Sequence, residues 1–160
     1  MLLGLGLAAA ILVADQFSKW LIVAVVMDPP RVVSVLPGFN LVLVHNTGVS
    51  FGLFGDLGSA ILAAVAIAVC VGLVFWLRRA ENRLLALAIG GIIGGAIGNV
   101  IDRLRLGAVV DFLDVYLPGS TLPHWPAFNV ADSAIVVGVG LVVLDGLLAG
   151  RRKAPSATKE

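Results

Sequence analysis

The sequence predicts an all-α polytopic membrane protein, with four transmembrane helices and a small extracytoplasmic β-sheet or hairpin element. Three observations lead there. Of 160 residues, 59% are hydrophobic and only 13% charged, and the mean hydropathy is +1.05. Four apolar stretches, at residues 1–27, 57–77, 84–101 and 130–148, each approach the roughly 20 residues needed to cross a bilayer as a helix. Between the first two the pattern changes from helical to β-branched. A formal net charge of +1 provides no basic surface, so no nucleic-acid partner is expected. A chain of this length holds one small bundle: residues 1–150 form a single four-span domain, and 151–160 a polar tail.

The first stretch carries small residues in LAAAILVAD, as signal peptides do. It lacks a basic leading region, and its apolar pattern continues past Asp15 and Lys19 to Met27. The reading is a retained helix. The segment 31–54 follows. RVVSVLPGFNLVLVHNTG has β-branched runs broken at Pro37-Gly38 and again at Asn46-Thr47-Gly48, the signature of a short sheet or hairpin. The tract 50–54, with Phe51, Leu53 and Phe54, suits the membrane interface. The second span holds the only cysteine, Cys70, which can form no internal disulfide and reads as a buried, inert thiol. The third span is glycine-rich. Gly90/Gly94, Gly91/Gly95 and Gly94/Gly98 are spaced for close helix approach, expected to be packing within the monomer. The fourth span starts near Asn129, a good N-cap residue.

Basic residues set the orientation. Arg78, Arg79 and Arg83 lie between the second and third spans, and Arg151, Arg152 and Lys153 follow the fourth. With four spans both clusters share one side, which the positive-inside rule makes cytoplasmic. Both termini are then cytoplasmic, and segments 28–56 and 102–129 face outward. Tyr116 and Trp125 fit the outer aromatic belt and Trp76 the inner one.

The polar residues are what such a chain must explain. Asp111, in GAVVDFLD, and Asp132, in FNVADSAIVVG, both have apolar flanks and fall where helices meet the outer surface. A carboxylate at the centre of a bilayer helix costs roughly 2.5–3.5 kcal/mol on insertion scales. Two such groups at one depth are suited to activating a water molecule. Asp132 also has a bland explanation, since it falls at the N3 position of a capping box begun by Asn129. Asp111 has none, and Asp114 reads as the more solvated acid. Asp15 and Lys19 are spaced as an i,i+4 ion pair, unless Asp15 orients polar groups of the site. Asn46, Asn99, Asp102 and Arg103 complete the set, with Asn99–Val–Ile–Asp102–Arg103 ending the third helix. Arg103 is either a surface ion-pair partner or a holder of a carbonyl or a loop.

Other chemistries fit less well. The two histidines, His45 and His124, have no metal-ligand spacing, and no HExxH or phosphate-binding loop occurs. Ser133 next to Asp132 on a helix points about 100° away from it, which rules against a triad. A proton-coupled transporter is the alternative class, because intramembrane acids also serve relays. Relay acids would be spread across depth, whereas these converge on one side. A non-catalytic scaffold would leave the acids unexplained.

In order along the chain stand Asp15-Gln-Phe-Ser-Lys19, Asn46-Thr-Gly-Val-Ser-Phe51, Gly94-Gly-Ala-Ile-Gly-Asn99-Val-Ile-Asp102-Arg103, Val109-Val-Asp111-Phe112 and Phe128-Asn129-Val-Ala-Asp132-Ser133. With these five blocks on four spans, the chain resembles the bacterial lipoprotein signal peptidases, the type II signal peptidases of the inner membrane. The resemblance implies an aspartic endopeptidase that cleaves signal peptides from diacylglyceryl-modified prolipoproteins, with membrane lipid around it and the site on the extracytoplasmic side. It implies Asp111 and Asp132 as the catalytic pair, with Asp15, Asn46, Asn99, Asp102, Arg103 and Asn129 supporting the site or substrate. It implies no metal and no cofactor, and inhibition by the cyclic peptide globomycin. Two neighbouring carboxylates would share one proton. The ionised member would activate water and the protonated one would polarise the scissile carbonyl. The helix dipole at the start of the fourth span favours Asp132 as the anion.

Overall fold

The computed structural model describes residues 1–48 and 55–153. Helix α1 spans Leu2–Leu21 and runs on through one π-helical turn, Ile22–Val26. Strands β1 (Val33–Leu36) and β2 (Phe39–Asn46) follow, then α2 (Gly55–Leu77), α3 (Arg83–Leu106), β3 (Val109–Val115) and α4 (Val130–Lys153). All four helices have the length and hydropathy to cross a membrane. The expected four-helix architecture with a small sheet is therefore the one found. The tract 50–54 and the tail from 154 lie outside the described residues. Residues 151–153, expected in the polar tail, continue α4.

Helix α3 is the centre of the bundle and packs against α1, α2 and α4. Its glycines explain this. A Cβ on Gly94 would stand 2.5 Å from the carbonyl oxygen of Ala8 on α1, and one on Gly95 would strike the carbonyl of Ala131 on α4. Backbones this close tolerate no side chain, and van der Waals contact replaces the hydrophobic drive that lipid removes. The glycine stripe thus packs within the monomer, as expected. Cys70 is buried with a free thiol. The other core lies under the sheet, where Phe112, Ile22 and Met27 meet.

Helix α3 is longer than expected at its C-terminal end. It was expected to stop at Asp102-Arg103, but it continues to Leu106, where Gly107 takes φ 70° and ends it. Arg103 and Arg105 in its last turn suit the helix C-terminus. At the other end Asn82 Oδ1 accepts from Leu85 N at 2.9 Å, a regular N-cap. Asn82 Nδ2 donates to Asp145 Oδ1 at 2.9 Å and ties α3 to α4 there.

The expected sheet or hairpin is a sheet. The sheet has three strands in the order β1-β2-β3, all antiparallel. β3 returns from the far end of α3 to pair with β2, bringing Val44 opposite Asp111 and Asn40 opposite Asp114. Asp111 therefore sits on a strand, not at a helix end. VVDFLDV is rich in β-branched and apolar residues, but its pairing partner lies far back in the chain.

Candidate active site

Four elements meet at one mouth of the bundle: the C-terminal ends of α1 and α3, strand β3, and the first turn of α4. Asn129 joins them. As N-cap of α4 its Oδ1 accepts from Asp132 N at 2.9 Å, and its own N donates to Asp132 Oδ2 at 3.2 Å. This is the expected capping box, with aspartate at N3. The same residue donates from Nδ2 to Asp111 Oδ1 at 2.7 Å. One fully buried asparagine thus caps α4 and bonds both aspartates.

Asp111 is 1% exposed. Its second oxygen, Oδ2, accepts from Asn46 Nδ2 at 2.9 Å. Asn46 ends β2, and its own Oδ1 caps the following turn by accepting from Gly48 N at 2.8 Å. Burial pushes the Asp111 carboxyl above the ordinary aspartate range. The amide of Asn46 opposes that shift, the nearby charge of Asp132 adds to it, and Asn129 and Lys19 pull the other way. Asp132 is half-buried and opens onto a cavity lined by Trp125, Phe128, Ser133 and Val136.

Behind the acids lies a cation. Lys19, 4% exposed, donates to Asp15 Oδ2 at 2.8 Å, Asp102 Oδ2 at 2.8 Å and Asn99 Oδ1 at 3.0 Å. All three N–H bonds of the ammonium are used. Asn99 in turn donates from Nδ2 to Asp132 Oδ1 at 2.8 Å. The ion pair expected between Asp15 and Lys19 is present, but it is part of a larger array. Asp15 Oδ1 accepts from Ala131 N at 2.9 Å, so it also fixes the first turn of α4. Asp102 Oδ2 accepts from Val110 N at 3.2 Å and fixes the start of β3. Asp15 thus joins the ion pair to the first turn of α4.

Five expected residues, Asp15, Asn46, Asn99, Asp102 and Asn129, therefore form one connected array with the pair, and Lys19 links three of them. Arg103 stands apart. Its Nε is buried with no hydrogen-bond partner among the described residues, and its guanidinium lies beside the Gly48 turn. Lys19 and Gln16, which donates to Asp102 Oδ1 at 3.0 Å, were not expected as members. The usable signal was that a lysine in a span needs more than one acid to be satisfied. One expectation is wrong. Asp114 is not the solvated acid: it is 7% exposed, and takes hydrogen bonds from Asn40 and His124.

Fold and site together define a polytopic membrane protein with two asparagine-linked aspartates at one end of its bundle. Comparison with known proteins gives that class its family. The model of signal peptidase II matches residues 7–148. The lipoprotein signal peptidase of Methylorubrum extorquens is 46% identical over 159 residues, covering 96% of this chain and 88% of that protein. That of Rhodopseudomonas palustris is 44% identical over 151 residues, covering 90% and 92%. A solved bacterial membrane enzyme superposes with a TM-score of 0.79 at 28% identity, covering 98% of this chain and 94% of the other. The chain belongs to the signal peptidase II family and is a multi-pass membrane peptidase.

Proposed function

We propose that this peptidase removes signal peptides from prolipoproteins whose future N-terminal cysteine already carries a diacylglyceryl group, and that Asp111 and Asp132 perform the hydrolysis. Family membership supports the substrate. The observation that carries the mechanism is Asn129, bonded to both carboxylates at 2.7 Å and 3.2 Å.

The division of labour follows from the surroundings of each acid. Burial and the charge of Asp132 favour the protonated form of Asp111. Asp132 accepts N–H bonds from Asn99 and Asn129 in the first turn of a helix, where the dipole favours an anion. Asp132 then takes a proton from water as the water attacks the scissile carbonyl. Asp111 donates a hydrogen bond to the carbonyl oxygen as it becomes an oxyanion. Collapse of the tetrahedral intermediate needs a proton on the leaving amine, and the pair holds the one taken from water. The roles assigned are those of the resting state. Inhibition by globomycin is expected of a member of this family.

The pair is proposed to face the extracytoplasmic side of the inner membrane. Asn82 and Asp145, near the arginines of the 78–83 turn, lie at the opposite end of the bundle from Asp111. Single cysteines placed beside Arg79 in a Cys70-free protein are expected to resist impermeant thiol reagents in intact cells. Labelling there would reverse the orientation.

The substrate's lipid is expected to act through position. Each CH₂ moved out of water yields about 0.8 kcal/mol, but a precursor already in the membrane has gained most of this beforehand. The remaining effect is to hold the scissile bond at the depth of the acids. Matched precursors with and without the diacylglyceryl group, compared in the same micelles, should differ in kcat and not only in KM. Equal turnover at saturation would contradict the positioning role.

A further inference from the structure

The return segment between β3 and α4 is anchored at both ends and bare in the middle. At the α4 end Phe128 N donates to Leu113 O at 3.1 Å, and Phe128 O accepts from Leu113 N at 2.8 Å and Phe112 N at 3.0 Å. At the far end Trp125 N donates to Val115 O at 2.9 Å. Just before it, His124 Nδ1 lies 2.9 Å and 3.0 Å from the two oxygens of Asp114. Asp114 Oδ2 also accepts from Asn40 Nδ2 of β2 at 2.9 Å. The His124 ring stacks on Tyr116, with centroids 4.6 Å apart and planes 11° from parallel. Between the anchors run Pro126, which has no N–H to give, and Ala127.

This suspended stretch is one wall of the cavity at Asp132. The cavity holds about 420 Å³ and is lined by residues 125–128 on one side, and by Asp132, Ser133, Val136 and Val137 of α4 on the other. Its lining is apolar apart from Asp132 and Ser133. The width of that cavity is set by where residues 125–127 hang. One backbone bond and the His124 side chain fix their outer end.

We propose that the Asn40–Asp114–His124 array, with Tyr116 under the ring, is a positioning device that sets the wall of the cavity beside Asp132 and so governs capture of the substrate. The array touches neither acid of the dyad. Asp114 lies on the strand of Asp111, but its bonds run to β2 and to the return segment. Its loss should therefore loosen substrate binding and spare the chemical step. The inference rests on Asp132 being part of the catalytic pair.

The test is steady-state kinetics on a lipidated precursor in detergent, with thermal unfolding of each variant alongside. His124→Ala is expected to raise KM about fivefold with kcat within about twofold, as for an interaction that acts on binding alone. His124→Gln, which keeps a donor for Asp114, should recover most of the loss. Tyr116→Leu removes only the ring beneath His124 and should raise KM by about twofold to threefold. It also serves should His124→Ala fail to fold. Unchanged KM in His124→Ala, or in Tyr116→Leu where only that variant folds, would overturn the inference. So would a fall in kcat at constant KM. Wild-type protein that does not cleave the precursor would instead sink the proposed function, so the two failures are separable.

Discussion

Asp111→Asn and Asp132→Asn are each expected to lower kcat by about 10³–10⁴-fold, the upper range of general acid–base catalysis. Asparagine keeps the shape of the side chain and cannot exchange the proton. The double variant should be little worse than either single one, because the acids act as a unit. The Asp111→Asn variant should fold, for a reason visible in the bonds. Asp111 accepts from two amides, Asn129 Nδ2 and Asn46 Nδ2. Asparagine at 111 can keep its oxygen toward buried Asn129 and turn its amide toward Asn46, which is exposed and free to flip. Flipping sacrifices the bond from Gly48 N, a cost of about 1 kcal/mol. Unfolding in detergent and cleavage of a lipidated precursor measure the two quantities. Near-normal turnover in either single variant would remove that residue from the dyad.

Lys19→Met is expected to have the largest effect on stability. Lys19 is the cation between Asp15 and Asp102, which are 0% and 4% exposed. Removing one partner of a buried ionic array leaves charge uncompensated, typically at a cost of 3–5 kcal/mol. Activity should fall further than stability, since Asn99 loses the bond from Lys19 and Asn99 holds Asp132. The check is thermal unfolding in detergent beside cleavage at a temperature where the variant is folded. A variant as stable as wild type would show that the array does not depend on the ammonium.

How much of this was legible in the sequence varies with the range of the interaction. The four spans were, because a bilayer requires each to be a continuous apolar run. The capping box at Asn129 and Asp132 was, because both partners lie within one turn. β3 is not legible as a strand. Its partner β2 is distant in sequence, and VVDFLDV follows directly on a helix. Asp114 was misjudged for the same reason: an aspartate followed by Tyr116 and a Pro/Gly-containing loop looks solvated until Asn40 and His124 are brought onto it. Sequence spacing shows Lys19 only as half of a local pair. Its bonds to Asp102 and Asn99 arise only when the glycines of α3 let α1 approach closely enough for the lysine to reach them. The pairing of Asp111 with Asp132 came from chemistry and resemblance. The asparagine that bonds both needed the fold.

The most direct test of the proton-sharing pair is the pH dependence of kcat/KM on a lipidated precursor free of other groups that titrate near its cleavage site. Burial raises the Asp111 carboxyl, so it keeps its proton at pH values where an ordinary aspartate has lost it. The rate should rise on the acid side as one carboxyl of the pair ionises. It should fall on the alkaline side, above the ordinary aspartate range, as Asp111 gives up the proton that polarises the carbonyl. A bell-shaped profile is the expected result. A rate that stays level from the acid limb into the alkaline range would show that a single ionised base suffices, and would contradict catalysis by a dyad sharing one proton.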